Sequence, residues 1–217
     1  MAELRTEEEQ VQAIKDWWKN NGSSLLIGVG AALAIVFGWQ AWQNHQTQQR
    51  AEAAAQFANL LNTFGNQADE TAGETVEFVA KSLREEHGDS AYAVYGNLIL
   101  AKQYLLDGET ESAIDSLTWA KDQAGDHQAL KLVIENRLAR AQFDAGQYDE
   151  ALATIDGVDE AGTFAPIFSE LRGDILLAKG DSEGAKKAYL AAREASPEGR
   201  SGILELKLSD LGVGGDA

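Results

Sequence analysis

Between Lys19 and Arg50 the chain carries no charged side chain, and within that stretch Leu25 to Trp42 is apolar except for Gln40. A helix rising about 1.5 Å per residue covers about 27 Å over those residues, and Ser23, Ser24 and Gln43 bring it close to the roughly 30 Å of a bilayer's hydrocarbon core. The sequence therefore predicts a transmembrane helix over residues 23–43, in contact with the lipid bilayer. A cleaved signal peptide would need a short basic start and small residues after the apolar run. Here about two dozen residues come first, Glu3, Glu7, Glu8, Glu9 and Asp16 among them, and the bulky, polar Gln40, Trp42, Gln43, Asn44 and His45 close or follow the run. A buried core helix is disfavoured by Trp17 and Trp18 before the run and Trp39 and Trp42 at its end, where interfacial aromatic belts stand.

Basic residues near a span resist translocation. Arg5, Lys15 and Lys19 precede it and Arg50 alone follows within twenty residues, so the expected orientation is a cytoplasmic N-terminus with residues 46–217 on the far side. That part holds 15 of the 18 basic and 30 of the 35 acidic residues, a formal charge of about −15. Binding a phosphate backbone depends on Lys and Arg displacing counterions, so nucleic acid is excluded as a partner. The chain has no cysteine, which rules out disulfides and Cys-based zinc sites.

Ahead of the span, Thr6-Glu7-Glu8-Glu9 reads as a capping box. It opens a short helix with Val11, Ile14, Trp17 and Trp18 on one side, expected to end at Asn20-Asn21-Gly22. This cytoplasmic segment, 1–22, is either an amphipathic helix on the membrane surface or a lead-in to the anchor. Residues 44–90 read as linking helices: a continuation or restart from Thr47 to Phe64, a stop at Gly65-Asn66-Gln67, and a helix over Thr75 to Glu86. His87-Gly88-Asp89-Ser90 then supplies a stop and a fresh N-cap.

The region 91–211 repeats itself. Gly108, Gly146 and Gly180 each stand five residues before an alanine (Ala113, Ala151, Ala185) and seven after a small residue (Ala101, Ala139, Gly173). Four residues beyond each alanine comes a larger apolar side chain: Leu117, Ile155, Tyr189. Small residues let two antiparallel helices approach, glycine turns the chain, and the large residue fills the space toward the next hairpin. The glycines are 38 and 34 residues apart, and the pattern resembles the tetratricopeptide repeat, whose period is about 34. Pro197 fits the end of the third unit. No unit has that repeat's early tryptophan, and about four extra residues lie around Ala124-Gly125-Asp126. A closing helix is expected over Ser201 to Leu208, through Ile203, Leu204, Leu206 and Leu208, with a flexible tail at 212–217. The fold class is all-α: one N-terminal transmembrane helix followed by a helical-hairpin solenoid.

No catalytic pattern stands out. His45, His87 and His127 are far apart in sequence, and acid pairs such as Glu85-Glu86 and Asp159-Glu160 read as solvated helix surface. No cofactor or metal site is predicted. Two binding features are. In the span, Gly30, Ala34 and Gly38 recur every four residues, as do Gly28 and Ala32, and offer close approach to another membrane helix. In the repeats, if Ala101, Ala139 and Gly173 face inward, a groove is lined by Lys102, Arg140 and Asp174 with Leu98, Asn136 and Glu170. A turn farther each way it is lined by Tyr95, Val133 and Ile167, and by Leu105, Phe143 and Leu177. Its mixed character suits an extended peptide or a partner helix.

Three features together resemble one family, the YfgM-like ancillary subunits of the bacterial SecYEG translocon. They are the block Thr6-Glu-Glu-Glu-Gln-Val-Gln-Ala-Ile-Lys-Asp-Trp-Trp-Lys-Asn-Asn-Gly22, the span ending Gly38-Trp-Gln-Ala-Trp42, and the repeats that follow. The resemblance implies a single-pass inner-membrane protein with a periplasmic repeat domain. Its implied partners are the translocon, a membrane-anchored periplasmic chaperone with a parvulin-like domain, and exported polypeptides. It implies a non-enzymatic adaptor, with no catalytic residues to carry over. The alternatives to this leading reading are a membrane-tethered scaffold for envelope assembly or division, and a regulator acting through its cytoplasmic segment.

Overall fold

The computed structural model describes residues 7–66, 71–196 and 202–213, and among them every regular element is helical. The chain divides into two compact units, Met1–Glu52 and Ala53–Ala217.

The first unit is the proximal part of one long helix, α1 (Glu7–Gly65). The break expected at Asn20-Asn21-Gly22 does not occur. Asn21 Nδ2 donates to the Trp17 carbonyl oxygen at 3.0 Å, so this side chain bonds its own helix instead of offering the backbone another conformation. The Trp18 indole lies over Gly22, where an added methyl would stand 3.2 Å from the ring. The segment before the span is thus a helical lead-in continuous with it. Thr6, the first residue of the expected capping box, lies outside the described residues.

The most apolar 18-residue stretch of α1 is long enough to cross a membrane, and only 6% of it is buried within the protein. A soluble core helix would be covered by its neighbours. Trp18 and Trp39 are separated by 21 residues, or about 31 Å along a helix, and the Trp39 and Trp42 rings meet at 5.1 Å.

The second unit contains the end of α1 from Ala53, then α2 (Ala72–Glu86), α3 (Ala91–Leu106), α4 (Thr110–Gln123), α5 (Gln128–Asp144) and α6 (Tyr148–Asp156). A 3-10 turn (Gly162–Phe164) leads into α7 (Ala165–Ala178), α8 (Ser182–Ala195) and α9 (Gly202–Asp210). The three expected hairpins are α3/α4, α5/α6 and α7/α8. The Ser90 hydroxyl caps α3 by accepting from the Ala93 amide at 3.2 Å, and the Asp181 carboxylate caps α8 by accepting from the Gly184 amide at 2.8 Å.

All three hairpins turn alike. Gly108, Gly146 and Gly180 have φ of 80°, 76° and 85°, in the left-handed region that costs glycine nothing. The next amide in each case reaches back five residues: Glu109 to Tyr104 O, Gln147 to Gln142 O, and Asp181 to Leu176 O, at 2.7 to 2.9 Å. This closes the exposed carbonyls of each first helix. Ala101, Ala139, Ala113, Ala151 and Ala185 are buried, as are Leu117, Ile155 and Tyr189. At Gly173 even a methyl would overlap the Tyr189 ring. The 38-residue spacing exceeds the 34-residue one chiefly because α5 has 17 residues where α7 has 14; the longer α4, 14 residues against 9 in α6, is nearly offset by the shorter connection after it, where Gly125 turns the chain at φ of 57°.

The compact unit begins before the first regular hairpin. Ala53 and Leu60 of α1 are fully buried in the core formed with α2, α3 and α4. Phe57 meets Tyr92 at 5.6 Å, and seven residues on, Phe64 lies under Lys102 at 5.2 Å. The end of α1 therefore runs in the same direction as α3, as successive first helices do in a solenoid.

Candidate partner-binding face and membrane helix

The twelve expected groove residues lie on the first helices α3, α5 and α7. Their surroundings differ by helix. On α3, Tyr95 faces Phe57 at 6.2 Å and Lys102 covers the Phe64 ring, so both sit beside the end of α1. Leu98 is 7% exposed and belongs to the core. On α5, Val133 is half-buried. Arg140 is exposed, and its Nε donates to Asn136 Oδ1 at 3.2 Å, while Phe143 packs on Tyr148 at 5.8 Å. On α7, Glu170 and Asp174 face α9. Lys207 Nζ donates to Glu170 Oε1 at 2.7 Å and to Asp174 Oδ2 at 2.9 Å.

Tyr95 and Leu105 on α3, and Ile167 and Leu177 on α7, remain 41–42% exposed. What the structure brings together at the two ends is groove residues and the chain's own flanking helices. Sequence reasoning missed Phe57 and Phe64 at one end and Lys207 at the other. Each has a signal. Phe57 and Phe64 are seven apart on one helix. Lys207 stands five residues before Gly212, where Ala141 and Ile175 stand before Gly146 and Gly180 and are buried.

The electrostatics of the α7/α9 contact follow from burial. Loss of solvent works against the Lys207 ammonium, but its hydrogen bonds to Asp174 and then Glu170 outweigh this and hold it above the usual lysine range. Tyr189 donates its hydroxyl to Asp174 Oδ1 at 2.7 Å. Burial first, then that bond, pushes the phenol above the usual tyrosine range. Elsewhere the hairpins are tied by Arg172 to Asp156 and Lys179 to Asp149. Among the described residues, no three His, Asp or Glu side chains gather in a way that would hold a metal ion.

On α1, Gly30, Ala34 and Gly38 share one side, since residues four apart nearly eclipse at about 100° per residue; Gly28 lies about 160° round the helix from Gly30. Apart from the helix's own backbone and the adjacent residues, no atom stands within 4 Å of where a methyl would project from Gly28, Gly30 or Gly38.

One exposed apolar helix followed by hairpins with left-handed glycine turns defines a membrane-anchored helical-repeat protein. The family model for a tetratricopeptide repeat-like domain matches residues 15–213. Among curated proteins, the chain is 33% identical over 211 residues to a protein of Aggregatibacter actinomycetemcomitans, covering 97% of this chain and all of that one. It is 31% identical to one of Haemophilus influenzae, with the same coverage, and 30% identical to one of Escherichia coli K12 over 95% of this chain and 97% of that one. All three carry the name ancillary SecYEG translocon subunit. The chain belongs to this family of tetratricopeptide repeat-like proteins.

Proposed function

We propose that the protein is a non-enzymatic adaptor at the inner-membrane Sec translocon. It is held by α1 with its N-terminus in the cytoplasm and its repeats in the periplasm. The similarity that carries this reading runs end to end, spanning the apolar helix and the repeats alike, in relatives named for the translocon. The membrane helix packs beside translocon helices through Gly30, Ala34 and Gly38. The repeats engage a membrane-anchored parvulin-like chaperone and pass newly exported chains to it. A helical solenoid whose first helices present both apolar and charged side chains suits such a task, because it binds segments without chemistry. The middle of the groove, where Arg140 stands exposed, is the place for a partner's acidic or polar groups.

The groove is tested by Lys102→Glu with Arg140→Glu in the full chain, with co-purification of periplasmic partners from solubilised membranes as the readout. Loss of the chaperone with the translocon retained is the expected result. Unchanged capture of both would remove the groove from the mechanism.

A further inference from the structure

The middle hairpin has a short second helix. α6 has 9 residues where α4 and α8 have 14, so about 7.5 Å of helix is missing from its end, and the connection 157–161 runs there instead. Clefts open on both sides of that connection. Toward α7, a cleft of about 150 Å³ is lined mainly by Ile155, Val158, Ala161, Ala165 and Phe168. That volume is well under the roughly 300–1,000 Å³ of small-molecule pockets and suits a single apolar side chain. Toward α5, a second cleft has Lys131, Glu135, Asp159 and Glu160 in its walls, and Val158 is common to both.

Charge around the connection is unbalanced. Arg172 borders the apolar cleft but is bound to Asp156. Glu135, Asp159 and Glu160 share their cleft with Lys131, and among the described residues none of these four makes an ion pair. Burial holds the Glu135 carboxyl above the usual carboxylate range against the pull of Lys121 and Lys131, and Asp159 adds to the rise. Gly157, the C-cap of α6, borders the same cleft, and the carbonyl end of a helix favours a cation. No three His, Asp or Glu side chains gather here to hold a metal ion, so the cation that suits is an ammonium or a guanidinium. Neither cleft belongs to the groove of the first helices. At about 100° per residue, Glu135 lies about 140° round α5 from Arg140, and Phe168 about 160° round α7 from Glu170.

We propose that the connection between α6 and α7 is a docking site for a segment of a partner protein that carries a lysine or arginine close to an apolar residue. The apolar side chain enters the cleft between Val158 and Phe168 as the anchor, and the basic group enters the cleft of Glu135 and Asp159, where it supplies the missing counter-charge. An apolar anchor in a pocket beside a charged edge is the ordinary anatomy of a small protein interface. The site lies apart from the groove and holds whether or not the groove binds a chaperone.

The test probes an array of immobilised hexapeptides with the full chain in detergent. One position varies among arginine, lysine, glutamine and glutamate, and the position two residues on, which shares its face in an extended chain, varies among leucine, phenylalanine, alanine and serine. Peptides pairing a basic with a large apolar residue should be retained about tenfold more strongly than those with glutamate or with serine. Glu135→Gln with Asp159→Asn, which preserves side-chain size, should remove the preference for the basic residue and keep that for the apolar one. Ala161→Leu, which fills the apolar cleft, should do the reverse. Lys102→Glu with Arg140→Glu should alter neither preference, so that failure of the groove and failure of this site are read separately. No preference in the array, or a basic preference that survives the acid-pair substitutions, overturns the proposal. So does a dimer of the full chain that Ala161→Leu dissociates, since a second copy would then fill the cleft.

Discussion

At Gly173 the α7 backbone lies so close to the Tyr189 ring that a methyl would overlap it. The ring cannot drift away freely, because its hydroxyl is bound to Asp174. Gly173→Ala gains about 1 kcal/mol of helix propensity but meets an overpacking cost of about 1–3 kcal/mol. A net loss of up to about 2 kcal/mol is expected in chemical unfolding of the full chain in detergent, while Gly30→Ala, where a methyl meets nothing within 4 Å apart from the helix's own backbone and the adjacent residues, should leave the repeat unfolding unchanged. The pair Gly173 and Tyr189 was legible in the sequence as a small and a large residue in register. The partner of Asp174 was not, since Lys207 lies 33 residues away on a helix with no hairpin mate.

That same contact gives an alkaline signature. Lys207 and Tyr189 both hold their protons more tightly in the folded state. Their contribution to stability is complete below the ordinary values of about 10.4 and 10 and disappears as pH rises through the raised folded values. The groups facing Lys207 are Glu170, Asp174 and Tyr189, and the Arg193–Glu205 pair lies between α8 and α9. The melting temperature of the wild-type repeat unit should fall above about pH 10 more steeply than that of Lys207→Met. Parallel curves across that range would show that the ammonium adds nothing.

Among the elements, α1 serves two units. Its residues up to Glu52 belong to the first, and from Ala53 onward they belong to the repeats. Leu60 is fully buried against the core of α2, α3 and α4. Leu60→Ala should therefore cost the repeats about 2–5 kcal/mol, as expected of a cavity left in a close-packed core. Thermal unfolding of the second unit within the full chain reads this directly, and an unchanged midpoint would mean that α1 is not part of that core. The three hairpins were readable because their determinants are local: a turn glycine, an alanine five residues later, a small residue seven earlier. The unbroken course of α1 was not, because Asn20-Asn21-Gly22 reads as a breaker in isolation, whereas the Asn21 bond to Trp17 and the Trp18 ring over Gly22 keep it helical. The contacts of Tyr95 and Lys102 with Phe57 and Phe64 of α1 escaped for a similar reason. The linking segment shows no repeat pattern that would announce a preceding first helix.

For the molecule as a whole, the apolar helix lies mainly in one unit and the strongly acidic hairpins in the other. The first unit has exposed small residues on the membrane helix, and the second has exposed apolar and basic residues on its first helices. Both patches are the surfaces proposed above for partners. Absence of native cysteine makes site-specific probes straightforward to place. The most direct measurement is photo-crosslinking in living cells, with a probe introduced in turn at Gly30 and at Arg140 and the adducts identified by mass spectrometry. An adaptor at the translocon predicts translocon subunits from Gly30 and a periplasmic chaperone or exported chains from Arg140. Adducts confined to a second copy of this chain, or to proteins of cell division or outer-membrane assembly, would contradict it.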